Sequence, residues 1–128
     1  MTTAIYFGDC GGDLYEEMTE IRGKLMDRGI VLNILATDLP PFRQRFDVLF
    51  FDWGGMSMGN GLLGSYCRWI LNDAYMNPGR VYVMTSQMTS AAMRDAMSEM
   101  AHRTDNIYLD IEDESTLAAL RVFSEETP

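Results

Sequence analysis

The stretch Val48-Leu49-Phe50-Phe51, followed by Asp52-Trp53-Gly54-Gly55, decides how this chain folds. A short, wholly apolar run of this kind reads as a strand buried on both faces, in the middle of a parallel sheet. A second such run, Ala4-Ile5-Tyr6-Phe7, leads into Gly8-Asp9-Cys10-Gly11-Gly12-Asp13. Each strand therefore opens into an acidic, glycine-rich loop. In open parallel α/β sheets such loops lie at the carboxyl ends of the strands, where these folds bind ligands. If the two strands are neighbours, Asp9 and Asp52 face each other across that edge.

Working outward, strand-like and helix-like segments alternate, the pattern of a βα-type sheet. Residues 4–8 read as strand one. Asp13 reads as a helix cap paired with Glu16, and Leu14, Met18, Ile21 and Leu25 recur at helical spacing on an inner face. Gly29 closes that helix. Ile30 to Leu35 is strand two. Thr37-Asp38-Leu39-Pro40-Pro41 excludes regular helix, so the next crossover is short, with at most a helical turn from Phe42 to Phe46. Val48 to Asp52 is strand three. A glycine-rich loop, Gly54 to Gly61, leads into a helix from about Leu62 to Met76, whose inner stripe is Leu63, Tyr66, Cys67, Ile70 and Ala74. Asn77-Pro78-Gly79 ends it. Val81 to Met84 is strand four. Thr89 or Ser90 caps a helix with Met93, Ala96, Met97 and Met100 inward. Ile107 to Ile111 alternates and reads as an edge strand five. A last helix begins near Asp113 and buries Leu117, Leu120 and Phe123. The expected fold is one three-layer α/β/α domain spanning 1–128. Its five-stranded parallel sheet takes the flavodoxin-like order 2-1-3-4-5, which right-handed crossovers allow.

The chain has 128 residues, enough to bury a core without covalent staples, and 47% of them are hydrophobic. No apolar run approaches the roughly 20 residues of a membrane helix. Met1-Thr2-Thr3-Ala4 has no basic segment before an apolar stretch, so no signal peptide is expected. Cys10 and Cys67 are far apart and form no CxxC pair, which suits reduced thiols in a cytoplasmic protein. The net charge is −9, and the segment from Asp105 to Pro128 holds seven acidic residues against one basic. That balance excludes a nucleic-acid footprint and leaves room for a cation or a basic protein partner. Lys24 is the only lysine, so lysine chemistry must run through it.

Asp9, Asp13 and Asp52 are the first candidates for chemistry. Carboxylates converging on a sheet edge suit Mg²⁺, which takes carboxylate and water oxygens, and a phosphate would then bind through the metal. Asp13 is equally explained as a helix cap, and Asp9 as an acceptor for loop amides. The loop Gly54-Gly55-Met56-Ser57-Met58-Gly59-Asn60-Gly61 would present amides to an anion at the following helix, or would simply be a loop needing positive-φ glycines. It matches neither the Walker A pattern nor the GxGxxG fingerprint. Trp53, Met56 and Met58 would leave it partly apolar and suited to a partner. Thr85 and Ser86 end strand four on the same edge. Cys10, with Gly11 and Gly12, borders the same site, but no base is placed to activate the thiol. His102, the only histidine, falls near a helix end on the opposite edge of the sheet.

The run Asp47-Val48-Leu49-Phe50-Phe51-Asp52, with Gly59 after it, is similar to the strand-three region of response-regulator receiver domains. The resemblance implies that Asp52 matches the phosphorylated aspartate and Asp9 part of the acidic metal site. It also implies that Thr85 or Ser86 matches the strand-four hydroxyl, and Tyr108 the signalling aromatic of strand five. After strand five, where that family carries a lysine, this chain reads Leu109-Asp110-Ile111-Glu112.

Three functions are compatible with these residues. The first is a non-catalytic binding or regulatory domain that engages a protein partner through the carboxyl edge and the Trp53–Gly61 loop. The second is a Mg²⁺-dependent enzyme or binder acting on a nucleotide or phosphate ester. Asp9 and Asp52 would hold the metal, and Ser86 with the Gly54–Gly61 amides would hold the phosphate, Ser57 and Asn60 of that loop being further ligand-binding candidates. The third is an assembly subunit with strand two or strand five as an open edge. No complete catalytic set and no oligomeric state can be read from the residues.

Overall fold

A computed structural model describes residues 2–8, 14–39, 41, 43–51, 62–85 and 91–124, with backbone alone at 62–68, 91–94, 96, 97 and 100. The strands are β1 (Ala4–Phe7), β2 (Ile34–Thr37), β3 (Val48–Phe51), β4 (Val81–Met84) and β5 (Ile107–Tyr108). The helices are α1 (Leu14–Met26), α2 (Leu62–Met76), α3 (Ala91–Thr104) and α4 (Glu114–Arg121). All strand pairs are parallel, and their order is β2-β1-β3-β4-β5. This is the doubly wound, flavodoxin-like arrangement expected from the sequence.

The alternation of side chains across the sheet divides the core in two. Tyr6, Ile34, Val48, Phe50 and Val83 face α1 and α4, meeting Met18, Ile21, Leu25, Leu117 and Leu120. Ile5, Phe7, Leu49, Phe51, Tyr82 and Met84 face α2, where Ile70 and Ala74 are buried, and Ala101 of α3 packs on the same layer. Every side chain of β1, β3 and β4 is buried, so these three strands are covered on both faces. Of the expected inward positions, Leu63, Tyr66, Cys67, Met93, Ala96, Met97 and Met100 lie outside the described side chains. Asp13, Thr89 and Ser90 lie outside the described residues.

The end of α1 follows from Gly29, whose φ is +76°. Gly29 N–H donates to Met26 O at 3.0 Å and Ile30 N–H to Leu25 O at 2.9 Å. These are the two bonds of a Schellman closure, and the accompanying apolar contact comes from buried Leu25 and Ile30.

Three expectations need correction. Strand two runs from Ile34 to Thr37 and not from Ile30 to Leu35, because β1 offers its partners from Ala4, opposite Ile34, to Phe7, opposite Thr37. Residues 30–33 precede that ladder but already alternate in burial. Strand five is two residues long because the chain turns at Asp110, whose Oδ1 accepts the Glu112 N–H at 2.9 Å. That Asx turn removes Ile111 from the sheet. Strand one ends at Phe7, although Gly8 N–H still reaches Thr37 O at 3.1 Å. The short second crossover is as expected. Among its described residues it holds a turn, with Gln44 N–H on Pro41 O at 3.4 Å, and no helix.

Candidate functional site

The carboxyl edge is assembled by register. Phe7 pairs with Phe51, and Phe51 with Met84, so three strands end side by side. From β1 the chain passes to α1 on one face of the sheet, and from β3 to α2 on the other. The β1–β3 junction is thus the topological switch point of the sheet, where doubly wound folds open a crevice. The described chain leaves β1 at Gly8 and β3 at Phe51, on the two sides of this junction. Asp9, Cys10, Gly11, Gly12, Asp52, Trp53, Gly54, Gly55, Ser57, Asn60 and Ser86 lie outside the described residues, as do Asp13, Met56 and Met58.

Gly8, which follows β1, and Thr85, which follows β4, are described residues at this edge. Gly8 is buried, and a Cβ built there would lie 2.7 Å from the Tyr6 hydroxyl oxygen and 3.0 Å from Leu14 Cδ1. The close approach of Tyr6, rather than backbone freedom, is what requires glycine at the head of the first loop. Thr85 is half-buried. Its backbone N–H donates to Phe51 O at 2.9 Å and its hydroxyl to the same oxygen at 3.3 Å. The Thr85 hydroxyl proton is thus turned back onto the last carbonyl of β3.

Thr85 also lines a cleft of about 150 Å³ with Tyr6, Glu17, Glu20, Lys24 and Ile111. The Tyr6 hydroxyl donates to Glu17 Oε2 at 2.6 Å, tying β1 to α1. Lys24 lies 3.6 Å from Glu20 one helical turn away, on the exposed rim. Sequence reading missed the Tyr6–Glu17 pair. The available signal was a tyrosine on the α1 face of β1 with a glutamate in the first turn of α1. Among the described residues no three His, Cys, Asp or Glu side chains are grouped closely enough to hold a metal ion.

A second hollow, of about 610 Å³, lies at the opposite, amino edge between Thr3, Arg45, Phe46, Asp47 and the 76–80 turn. Asp47 and Arg80, which line it, are committed to the fold. Asp47 Oδ2 accepts the Thr3 N–H at 2.9 Å. Asp73 Oδ2 accepts from the Tyr82 hydroxyl and from Arg80 Nη1, the latter at 3.1 Å. The Arg80 guanidinium carbon lies 4.5 Å from the centre of the Phe46 ring, which meets Tyr82 edge-on at 5.8 Å. His102 lies exposed in the last turn of α3, at this same edge. The amino edge is therefore a structural clamp.

Burial, reinforced by the hydrogen bond to Asp73, pushes the Tyr82 phenol well above its ordinary value of 10.0. The folded state thus holds this proton more tightly than the unfolded chain does. The resulting stability is complete below about pH 10 and is lost as pH rises above that value. Tyr82→Phe is expected to lower stability at neutral pH by about 1.5 kcal/mol and to flatten the alkaline fall. Urea unfolding at neutral pH and above pH 10 checks this; an unchanged alkaline slope would contradict it.

No protein-family model matches the chain, and no curated protein matches it. The class defined by the structure is that of the fold: an all-parallel α/β domain of flavodoxin-like order. Such folds host many unrelated functions, so the site must carry the functional argument. Among the described residues no helix is long and apolar enough to cross a membrane.

Proposed function

We propose that this chain is a small acidic binding or regulatory domain that engages a protein partner through the carboxyl edge of its sheet. The observation that carries this reading is the adjacency of β1 and β3 at the switch point, with Phe7 opposite Phe51. That adjacency starts both glycine-rich segments from neighbouring positions, and the sequence of the second holds Trp53, Met56 and Met58, the apolar residues suited to a partner. The acidic segment from Asp105 onward favours a partner with a basic rim.

A second reading rests on the same register, which favours Asp9 and Asp52 as a shared Mg²⁺ site for a nucleotide or phosphate ester. Thermal unfolding with and without millimolar Mg²⁺, on wild type and Asp52→Asn, separates the two. A cation held only by the native state at ten times its Kd adds about 1.4 kcal/mol, a rise of roughly 3–5 °C. A regulatory domain without metal shows no rise in either protein, and Trp53→Ala and Met58→Ala then lose the partner captured by wild type. A rise confined to wild type replaces this reading with the Mg²⁺ one. Identical capture by wild type and both loop variants sinks the partner surface.

A further inference from the structure

We propose that two copies of this chain associate through the open edge of β2, in antiparallel register about a two-fold axis at Asn33. The α2-side face of the sheet is exposed at its β2 margin. Val31 is 41% exposed there and Leu35 62%, while their neighbours Leu32 and Ile34 are buried under α1.

The backbone of this strip has unused pairing capacity. β2 is the terminal strand of the sheet. Val31 N–H donates inward to Ser124 Oγ at 2.9 Å, and Thr37 O accepts inward from Gly8 N–H. Odd-numbered residues thus direct their backbone groups toward the body of the domain, and Leu32, Ile34 and Ala36 direct theirs outward. An exposed edge of this kind is a template for another strand unless it is blunted by charge, proline or a bulge. From Gly29 to Thr37 there is no charged residue and no proline. The other edge is blunted, because β5 is two residues long and ends in the Asp110 turn.

A second copy fits this strip better than an arbitrary strand because the strip is self-complementary. Exposed Arg28 lies at its amino end and exposed Asp38 at its carboxyl end. An antiparallel copy centred on Asn33 sets Val31 against Leu35 twice, and places the α1 closing turn that carries Arg28 beside the exposed Asp38 end of the other chain at both ends. Leu32 then forms hydrogen-bonded pairs with Ile34, in phase with their outward backbone groups. A parallel copy would oppose like charges. The two-fold contact is isologous, so association closes at two.

Sedimentation equilibrium across the micromolar range tests this. Wild type is expected at twice its 14.5 kDa chain mass, and Leu35→Lys at the chain mass itself. Leu35 is exposed, so the variant should keep the wild-type circular dichroism spectrum. Asn33→Cys supplies the register test. Directly opposed residues of a non-hydrogen-bonded pair lie about 4.5 Å apart at Cα, within disulfide reach. In a Cys10→Ser, Cys67→Ser background, mild oxidation should therefore link Asn33→Cys chains covalently in pairs. A wild-type monomer throughout, a dimer that survives Leu35→Lys, assembly beyond two chains, or no link at Asn33→Cys would each overturn the proposal.

Discussion

Replacing Asn106 with alanine is expected to cost about 3 kcal/mol, more than the loss of either the Tyr82 or the Tyr6 hydroxyl. Asn106 is buried directly before β5, and its Nδ2 donates to Ala74 O at 3.0 Å, Asn77 O at 3.2 Å and Arg80 O at 3.0 Å. One amide thus gathers the end of α2, the turn after it and the entry to β4. Its backbone carbonyl accepts the Tyr82 N–H at 2.9 Å. Alanine removes the donor and leaves a void, and the carbonyl of Ala74 loses a partner where water has little access. The orientation of the amide is set by its surroundings, because a flipped side chain would aim oxygen at three carbonyls. Asn106→Asp should cost at least as much, since a carboxylate cannot donate. Urea unfolding checks both, with a fall in midpoint at unchanged m. A loss under about 1 kcal/mol would show that the backbone bonds at Ala74 and Asn77 hold the turn unaided.

Gly8→Ala is expected to cost about 2 kcal/mol, the next largest effect, and to act through Tyr6. The added carbon would stand 2.7 Å from the Tyr6 hydroxyl oxygen and 2.8 Å from Cζ. The ring cannot retreat freely, because Tyr6 is fully buried and its hydroxyl is held by Glu17 at 2.6 Å. Leu14 at the start of α1 closes the other side. Tyr6→Phe by itself loses the bond to Glu17, about 1 kcal/mol. In the Gly8→Ala background the same change also removes the nearest clashing atom, so the double variant should be less destabilised than the sum. A double-mutant cycle by urea unfolding reads this coupling directly. Strict additivity would mean that the chain moves at Gly8 instead, opening the start of the first loop.

These two positions differ in how far they could be read from the residues alone. Gly8 was visible as the first glycine after an apolar run, but the reason for it was not. The contact with Tyr6 depends on where the ring lies over the end of β1, which only packing against α1 decides. Asn106 carried no signal, because its partners are 26 to 32 residues away and belong to a turn that reaches it only when β4 pairs with β5. The same holds for Asp73, Arg80, Tyr82 and Phe46, which meet at the amino edge although nothing in their spacing marks a cluster.

The order of the sheet was legible because few physical rules govern it. Apolar runs at 4–7, 48–51 and 81–84 had to be central, β5 with its alternating pattern had to be marginal, and right-handed crossovers left little choice of order. The ends of β2 and β5 were not legible, since a strand ends where its partner or a side-chain turn ends it. Asp110 could not be recognised as a turn residue until its carboxylate was seen on the Glu112 amide.

By itself, then, the sequence determined the layers and the strand order, because periodicity and chain-breaking residues act locally. Tertiary structure alone decided that β1 and β3 end level at Phe7 and Phe51, that Thr85 turns its hydroxyl onto β3, and that Tyr6 reaches Glu17. It also decided that the β2 margin stands uncovered at Val31 and Leu35. Each of these depends on register and on what lies across the sheet, which distant segments settle together when the core closes.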